Sequence, residues 1–374
     1  MSGALPERLE GRSVVICAGS GGVGKTTCSA AIAMGLAAEG KRVAVVTIDP
    51  ARRLADALGL DELGNEPSLV DPARFAGDGI EIDGELWAMT LDAKRTFDEL
   101  IESLSPDART RDEILGNRIY QQLSGAVAGS QEFTAVAKLY ELDRSGRFDV
   151  LVLDTPPSRN ALDFLDAPER LTGFFEGRAL KFFLAPTGLA AKAWGRGTGA
   201  VFGVMKRITG VDLLEDLSVF FRALGGLIDG FRERAEGVAR LLEDDGTTFL
   251  VITSPEREPA EEAVFFRRKL REAGMPFGGL IVNRVHTVGD GGPTPEPETV
   301  AADLGPELGP ELAAKVARAY GEALALAERD EASIARLRRE TGERHPVIVP
   351  ELDGDVHDVA GLVAVHRWLF DDAQ

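Results

Sequence analysis

The chain has 374 residues, and its 61 Asp and Glu side chains outnumber its 42 Lys and Arg side chains, which gives a formal net charge of −19. A chain this acidic repels nucleic-acid phosphates, so we exclude nucleic acid as a general partner. No cationic leader opens the sequence, and no uninterrupted apolar run approaches the ~18 residues that a membrane-spanning helix needs. We therefore expect a soluble, cytoplasmic protein, long enough for one large α/β domain with an insertion.

The first predicted elements are a short apolar strand at Val14–Ile16, a glycine-rich turn and a helix that opens near Lys25. The turn matches the P-loop pattern G-x-x-x-x-G-K-[ST] through Gly19, Gly24, Lys25 and Thr26, in the strand–loop–helix context that this motif requires. Any glycine-rich turn can precede a helix, but the added lysine, threonine and strand favour phosphate binding.

The chemistry of phosphate binding explains this spacing. Glycines without a Cβ let successive N–H groups turn inward around phosphate oxygens, and the positive end of the helix points at the same place. We expect Lys25 to reach the β- and γ-phosphates of ATP and the Thr26 hydroxyl to hold Mg²⁺. Nucleotide binding is assigned to the whole segment, Gly19, Ser20, Gly21, Gly22, Val23, Gly24, Lys25, Thr26 and Thr27.

The two cysteines, Cys17 and Cys28, fall in this first strand and first helix. Without a C-x-x-C pair or a further thiol, they cannot by themselves build a zinc site, an iron–sulfur cluster or a soft-metal site. We predict two small buried residues and no zinc.

A second buried strand is predicted over Arg42–Asp49, and a helix after Pro50. An aspartate at the tip of a strand beside a P-loop can orient the attacking water or reach the magnesium shell, so Asp49 is a candidate for both catalysis and metal binding. It is equally well placed to be the N-cap of the helix that follows, with Pro50 at the first helical position. The local sequence does not separate these two roles.

A polar loop over 61–85, a strand at Leu86–Asp92 and a first helical insertion over 93–143 lead to another buried strand at Phe148–Thr155. Asp154 lies at the end of this strand, where a P-loop nucleotidase places a second carboxylate for magnesium. The alternative is an ordinary strand end. The loop over 156–160 is well placed to sense the γ-phosphate and to change shape after hydrolysis.

Residues 169–245 are predicted to be a second helical insertion, rich in phenylalanine. Six apolar residues in it recur at helical spacing and form one stripe, Leu217, Phe220, Phe221, Leu224, Ile228 and Phe231. The stripe is expected either to form the core of a helical subdomain or to offer an apolar surface to a hydrophobic client or partner helix.

The rest of the chain continues the alternation of strands and helices. Strands are predicted at Thr247–Ser254, Phe277–Val285 and His345–Leu352, and helices at Pro259–Ala273, Glu311–Glu340 and Asp358–Phe370. Residues 286–310 are predicted to be a mobile surface connection, and residues 1–12 a loose leader. Residues 1–374 thus form a single α/β P-loop NTPase domain, with a doubly wound, mainly parallel sheet, helices on both faces and an inserted helical subdomain.

Ligands of such sheets bind outside the carboxyl ends of the strands. The ends of the predicted strands carry the P-loop, Asp49, Asp154, Glu256, Asn283 and Pro350, so we expect these residues to converge on one rim.

Six segments of the sequence, in this order, resemble the arsenical pump-driving ATPase (ArsA) family, which includes the ATPase that targets tail-anchored membrane proteins. They are GSGGVGKTT, TIDPARRLADALG, DVLVLDTPPSRNALDFL, LVITSPE, GLIVNRV and VPELDGDV. The resemblance is closest to the actinobacterial anion-transporting ATPase branch, and it is weakest at 61–130 and 169–245.

The resemblance implies a magnesium-dependent ATPase that works as a dimer, with nucleotide at the subunit interface and a hydrophobic client or membrane-protein partner. Asp49 matches the family's water-polarising aspartate, and Asp154 its second acidic motif. Asn283 matches the asparagine that contacts adenine, the segment Pro350 and Glu351 the loop that covers the base, and Glu256 a glutamate that touches nucleotide across the interface.

One departure from the family motif bears on activity. The family's P-loop carries a second lysine, in K-G-G-x-G-K-T, that reaches the partner subunit's phosphates, and Ser20 occupies that position here. A cation in such a role contributes roughly 10³–10⁵ in rate in comparable enzymes. We therefore expect slow turnover, or a substitute among Arg52, Arg53 and Arg159, or a cation from a paralogous partner subunit instead of a second copy.

Two other functions compete with an ATP-driven switch of this type. A positioning ATPase of the ParA or MinD kind needs a basic DNA-facing patch or a basic amphipathic C-terminus, whereas this chain is acidic and closes with WLFDDAQ. A weakly active nucleotide-binding subunit of a heteromeric complex is the other alternative, and Ser20 is its motivation.

Overall fold

The structure is a computed structural model that describes residues 5–49, 51–118, 120–121, 131–156, 220, 222–289, 294–352, 354, 356 and 358–371. Most of the predicted insertion at 169–245, and Arg159 with most of the loop over 156–160, lie outside these residues.

Eight strands alternate with helices along the described chain. The strands are β1 (Val14–Gly19), β2 (Arg42–Thr47), β3 (Ser68–Leu69), β4 (Glu85–Thr90), β5 (Val150–Asp154), β6 (Thr247–Thr253), β7 (Phe277–Val285) and β8 (Val347–Pro350). The helices of the first half are α1 (Leu5–Leu9), α2 (Lys25–Ala38), α3 (Arg53–Ala57), α4 (Ala73–Ala76), α5 (Ala93–Leu104), α6 (Ala108–Leu115) and α7 (Gln131–Arg144). Those of the second half are α8 (Ile228–Glu243), α9 (Arg257–Glu272), α10 (Pro297–Leu308), α11 (Pro310–Thr341) and α12 (Val359–Phe370).

The strands form one sheet in the order β3-β4-β2-β5-β1-β6-β7-β8. Every neighbouring pair is parallel except β3 and β4. Strand β1 thus lies near the middle of the sheet, with β5, β2, β4 and β3 on one side and β6, β7 and β8 on the other. This confirms the predicted doubly wound, mainly parallel sheet, and it places the loop after β1 near the middle of the carboxyl-end rim.

Alternate residues of β1 enter two different cores, one on each face of the sheet. Val15 and Cys17 pack with helices α2 and α12, whereas Val14 and Ile16 pack with helices α7, α8, α9 and α11. Such two-sided burial explains why this strand reads as a continuous apolar run. Cys17 and Cys28 are both free and fully buried, as predicted, and burial raises the pKa of the Cys17 thiol to about 12.

A third apolar cluster joins helices α5, α6, α7 and α8. Four described members of the predicted stripe take part in it, Phe220, Leu224, Ile228 and Phe231, whereas Leu217 and Phe221 lie outside the described residues. The ring of Phe231 stacks on Phe97 of α5 with 5.9 Å between centroids. The described part of the stripe is therefore packed into an apolar cluster shared by helices α5–α8.

The leader prediction for residues 1–12 is wrong over Leu5–Leu9, which forms α1. Leu5 and Leu9 lie one turn apart on the same helix face, and both are buried in the core that the sheet forms with α2 and α12. Arg8 on the same helix pairs with Glu343 at 3.2 Å, which ties the start of the chain to the end of α11.

The predicted mobile connection over 286–310 is also shorter than expected, because Pro297–Leu308 is the helix α10. Pro297 sits at the start of this helix, where its missing N–H costs nothing. Gly309, with φ 77°, then turns the chain into α11, and α10 packs back along α11 over the small buried side chains Ala313 and Ala317. Residues 290–293 lie outside the described residues.

No helix in the described part of the chain is both long and apolar enough to cross a bilayer.

Candidate functional site

A cavity of about 370 Å³ opens at the carboxyl-end rim of the sheet, lined by the loops after β1, β2, β5, β7 and β8. Most of the residues assigned from the sequence line it, namely Gly21, Gly22, Gly24, Lys25, Thr26, Thr27, Asp49, Asp154, Asn283, Pro350 and Glu351. The five loops follow five different strands, so the parallel sheet brings together residues that are far apart in the sequence.

Packing alone requires glycine both at the end of β1 and in the loop that follows it. A Cβ on Gly19 would lie 1.9 Å from the carbonyl oxygen of Ile252 in β6, so no other residue fits. Gly24 has φ 88°, and a Cβ there would lie 2.3 Å from Nδ2 of Asn283. Glycine at these two positions lets the loop lie against β6 and β7.

Helix α2 presents an uncapped N-terminus to the cavity. Its N-cap is Gly24, no side chain of a described residue caps it, and its first turn contains no acidic residue. The first N–H groups of a helix have no intrahelical partner and carry the positive end of the helix dipole. Because Lys25, Thr26 and Thr27 of this turn line the cavity, the helix end is a ready anion site.

The Lys25 ammonium is buried at the cavity wall, where its Nζ donates to the carbonyl oxygen of Ser20 at 2.7 Å. Burial lowers the pKa of Lys25, while the nearby carboxylates of Asp154 and Asp49 act to raise it. A cation held in this way, with little water around it, attracts a phosphate more strongly than an exposed lysine does.

Asp154 is a buried carboxylate whose two oxygens differ. Oδ2 accepts hydrogen bonds from the hydroxyls of Thr26, at 2.7 Å, and Thr47, at 2.8 Å. Oδ1 is buried and has no hydrogen-bond partner among the residues that the structure describes, and burial raises the pKa of the carboxyl group. A buried oxygen without a partner, beside a threonine hydroxyl, is the donor set that a hard cation such as Mg²⁺ prefers, so these residues fit the ion.

The N-cap interpretation expected Asp49 to begin the next helix, and this expectation is wrong. Helix α3 starts at Arg53, and its N-cap is Arg52. Oδ1 of Asp49 instead accepts from the Ala51 N–H at 2.9 Å, which is an Asx-turn, and Oδ2 lies 3.4 Å from Nη1 of Arg53. The side chain is partly exposed and faces the cavity.

Sequence reasoning missed Thr47. Its hydroxyl donates to Asp154 and lies 3.2 Å from the backbone N of Asp49, so it links the ends of β5 and β2. No local signal marks Thr47, because its role depends on β2 and β5 being neighbours in the sheet.

Asn283 lies behind the P-loop, where its Nδ2 donates to the Val23 carbonyl at 2.9 Å. The register of β7 against β8 shifts between Val282 and Val285, so the next residue, Arg284, is an extra one that turns out of the sheet. Arg284 is exposed and lines the cavity. The sequence offered no signal for this shift, since the segment reads as an uninterrupted strand.

Four assigned residues are absent from the cavity lining. Gly19 and Val23 are packed into the fold, and the Ser20 hydroxyl donates to Oε2 of Glu262 on α9 at 2.6 Å. Glu256 lines a separate cavity with Arg329 and Arg336 of α11, so within one chain it does not meet the P-loop cavity. Its predicted contact with nucleotide across an interface stays a prediction.

Comparison with known proteins agrees with this geometry. The sequence model of the ArsA ATPase family, described as anion-transporting ATPase, matches residues 12–290, which is more than half of the chain. Similar proteins include the ATPase get3 of Aspergillus terreus, 27% identical over 281 residues that cover 74% of each chain. The ATPase GET3C of Arabidopsis thaliana is 28% identical and covers 73% of this chain and 67% of its own. The putative arsenical pump-driving ATPase 1 of Aquifex aeolicus is 28% identical over 73% of this chain and 63% of its own. The chain therefore belongs to the anion-transporting ATPase (ArsA) family and is a P-loop ATP hydrolase.

Proposed function

We propose that this chain binds Mg·ATP in the rim cavity and hydrolyses it to switch the state of a dimer. The observation that carries the proposal is the pairing of Thr26 with Asp154 beside the uncapped end of α2 and the buried Lys25 ammonium. Each of these groups alone is common. Together they offer N–H donors and a cation for a triphosphate, and oxygen ligands for its metal.

The phosphates are proposed to lie against the turn from Gly21 to Thr27. The N–H groups of the turn and of the first helical residues donate to the phosphate oxygens, and Lys25 exchanges the Ser20 carbonyl for the β- and γ-phosphates. That exchange needs little rearrangement, because the lysine already lies in the cavity wall.

Thr26 and Asp154 would hold Mg²⁺, with Asp49 within reach of its outer shell. Bound Mg²⁺ neutralises phosphate charge and orients the β- and γ-phosphates. Asp154 suits a cation, since its Oδ1 has no partner in the described part of the chain and its Oδ2 is fixed by Thr26 and Thr47.

Asp49 is the proposed group that positions the attacking water. Oδ1 holds the turn and so fixes the carboxylate, and Oδ2 faces Arg53. The same ion pair places the Arg53 guanidinium in the cavity lining, where it is able to move to the terminal phosphate. Arg53 is therefore the proposed cis substitute for the lysine that Ser20 replaces.

The base is proposed to lie between the ends of β7 and β8. Asn283, Pro350 and Glu351 line this part of the cavity. A hydrogen bond from the Glu351 N–H to the Val285 carbonyl, at 2.9 Å, holds the two strand ends together.

The client side is proposed to be the helical subdomain over 93–143 and 169–245, acting on a hydrophobic client or a membrane-protein partner in the cytoplasm. Helices α5–α8 share an apolar cluster, and α7 and α8 also pack on the sheet, so a change at the nucleotide site can reach these helices through the sheet. An arsenical cargo gains no support, because Cys17 and Cys28 are both buried in the sheet core.

Turnover assays of the wild type, Lys25→Ala and Asp154→Asn, each with Mg²⁺ or EDTA, test the ATPase mechanism. We expect Mg²⁺-dependent hydrolysis that falls by at least ~100-fold in both variants. An active Lys25→Ala variant would contradict the proposed site. Binding of Mg·ATP without measurable turnover by the wild type would instead favour a weakly active subunit of a heteromer.

The dimer is tested by light scattering of the purified chain with ADP and with a non-hydrolysable ATP analogue. A mass near twice 40.0 kDa with the analogue is the expected result. A monomer under all conditions would exclude the homodimer and leave a paralogous partner as the proposed second subunit.

A further inference from the structure

Arg284 combines an unusual backbone conformation with a place in the cavity lining. Its φ is 61°, and no other non-glycine residue in the described part of the chain has a positive φ. A residue with a Cβ pays free energy to adopt this left-handed conformation. Such residues persist where the surrounding structure fixes them, and they cluster at functional sites.

The neighbours of Arg284 are fixed to three different elements. Asn283 donates to the P-loop carbonyl of Val23 at 2.9 Å, and the Val285 carbonyl accepts from Glu351 after β8 at 2.9 Å. The His286 N–H donates to the buried Asp330 of α11 at 3.0 Å. These bonds hold the bulge on both sides, so the arginine is turned out of the sheet toward the cavity.

The other cations of the cavity have protein partners. Lys25 donates to the Ser20 carbonyl, and Arg53 pairs with Asp49. The Arg284 guanidinium, by contrast, makes no hydrogen bond or ion pair with any residue that the structure describes. A strained backbone thus presents an unpaired cation to the site, which suggests that its partner is the ligand.

Strand order indicates which part of the ligand the Arg284 guanidinium meets. Lys25, Asp154 and Asp49 lie at or just beyond the carboxyl ends of β1, β5 and β2, whereas Arg284 lies at the carboxyl end of β7, two strands from β1 on the opposite side. Two strand spacings are about 10 Å. A nucleotide whose phosphates lie on the P-loop therefore extends its base, and not its terminal phosphate, toward Arg284.

We propose that the Arg284 guanidinium stacks on the base of the bound nucleotide, an inference that rests on the proposed function. The planar, weakly hydrated guanidinium packs well on aromatic rings. Apolar side chains in the same part of the cavity, Pro350, Leu352 and Val356, offer a second wall for a flat ring. Arg284 is thus a specificity residue that binds the base, separate from the groups that bind phosphate.

Calorimetric titration of Mg²⁺-containing protein with ADP and with inorganic pyrophosphate separates base from phosphate contacts. Arg284→Ala is expected to weaken ADP binding about tenfold and to leave pyrophosphate affinity within about twofold of the wild type. Arg284→Lys keeps the positive charge but lacks the planar guanidinium, and it should bind ADP about fivefold more weakly than the wild type. Arg240→Ala, an exposed arginine on α8, is the matched control and should bind ADP normally.

Equal loss of ADP and pyrophosphate affinity would overturn the proposal in favour of a phosphate contact. Full rescue by lysine would overturn the stacking geometry, and unchanged ADP affinity in Arg284→Ala would overturn any contact. A second variant, Arg284→Gly, suits the left-handed backbone and guards against misfolding; it should lose as much ADP affinity as Arg284→Ala. If the wild type binds neither ligand, the proposed function fails, and this inference fails with it.

Discussion

At the residue scale, Asp154 is expected to lower the stability of the ligand-free protein and to favour a bound cation. A buried carboxylate with one unpartnered oxygen is unfavourable in the ligand-free protein, because burial disfavours the charged form. Thr26 and Thr47 offset part of that cost through their hydrogen bonds to Oδ2. The rest of the cost of burying this charge is what a bound cation would relieve, and this relief would add to the affinity for the cation.

Asp154→Asn should therefore stabilise the ligand-free protein while it abolishes turnover. Burial raises the pKa of Asp154 above its usual 3.8, so the folded state keeps this proton to a higher pH than the unfolded chain does. Its contribution favours folding at low pH and is lost as pH rises through the raised pKa. We expect the variant to exceed the wild type by ~1 kcal/mol in free energy of unfolding at pH 7, and the difference to shrink as pH falls toward 4.

Urea unfolding of ligand-free protein between pH 4 and 8 measures this difference. Asp149→Asn is the control with opposite sign, because hydrogen bonds from Arg42 lower the pKa of Asp149, and its contribution is lost as pH falls. If the gain in free energy of unfolding in Asp154→Asn grew toward low pH, it would contradict a raised pKa for Asp154.

The sequence foresaw Asp49, Asp154 and Lys25 as residue types in a motif, but it did not foresee Thr47 or Arg284. The motif residues follow their strands directly, so the local pattern reveals them. Thr47 matters only because β2 and β5 are adjacent, and Arg284 only because β8 pairs with β7 out of register. Both depend on strand pairing, which a single sequence does not show.

At the element scale, the P-loop is tied to helix α9 through Ser20. Its hydroxyl donates to Glu262 at 2.6 Å, so a carboxylate lies beside the position where the family carries a second lysine. A lysine introduced there would have an acidic neighbour in its own chain.

Ser20→Lys alone should therefore change kcat little, because Glu262 would hold the new ammonium in cis. Combined with Glu262→Gln, the lysine is released to reach a phosphate, and we expect kcat to rise by at least ~10-fold. Steady-state turnover of wild type, both single variants and the double variant forms the cycle that isolates the coupling. Additive effects of the two substitutions would argue against the ion pair.

Helices α5–α8 share an apolar cluster that includes Phe231. The side chain is fully buried and stacks on Phe97. Phe231→Ala should lower the free energy of unfolding by ~3–5 kcal/mol, because it removes a large buried ring and leaves a cavity.

ADP affinity should stay within about twofold in Phe231→Ala, since this core and the rim cavity share no residue. Urea unfolding and calorimetry measure the two quantities, with the exposed Phe265→Ala on α9 as the matched control. A stability loss in Phe265→Ala as large as in Phe231→Ala would contradict the burial argument.

Elements α1 and α10 show where composition misled the sequence interpretation. Residues 1–12 and 286–310 are polar or rich in Gly and Pro, yet each contains a helix. In α1 the decisive feature is the apolar spacing of Leu5 and Leu9, and in α10 it is Pro297 at a helix start. Both helices form because of where these residues stand in the segment, and not because of its overall composition.

At the scale of the whole molecule, the cavity is built by five loops of one sheet, so ligand binding stabilises the entire fold. We expect Mg·ADP at 100 times its Kd to add about 2.7 kcal/mol to the free energy of unfolding. Thermal unfolding with ADP, with and without EDTA, measures the effect. EDTA should remove most of the gain in the wild type and little in Asp154→Asn, which lacks the carboxylate for the metal; equal EDTA effects in both would contradict this magnesium site.

The sequence by itself determined the local chemistry: a strand, a glycine turn, a lysine and a threonine in a fixed order, and apolar runs that end in aspartate. Those features lie within a few residues of one another, and their spacing follows from backbone geometry. Only the tertiary structure decided that Thr26 meets Asp154, that Glu256 lies apart from the cavity, and that Ser20 faces Glu262. These contacts join residues far apart in the chain, and strand order and register fix them.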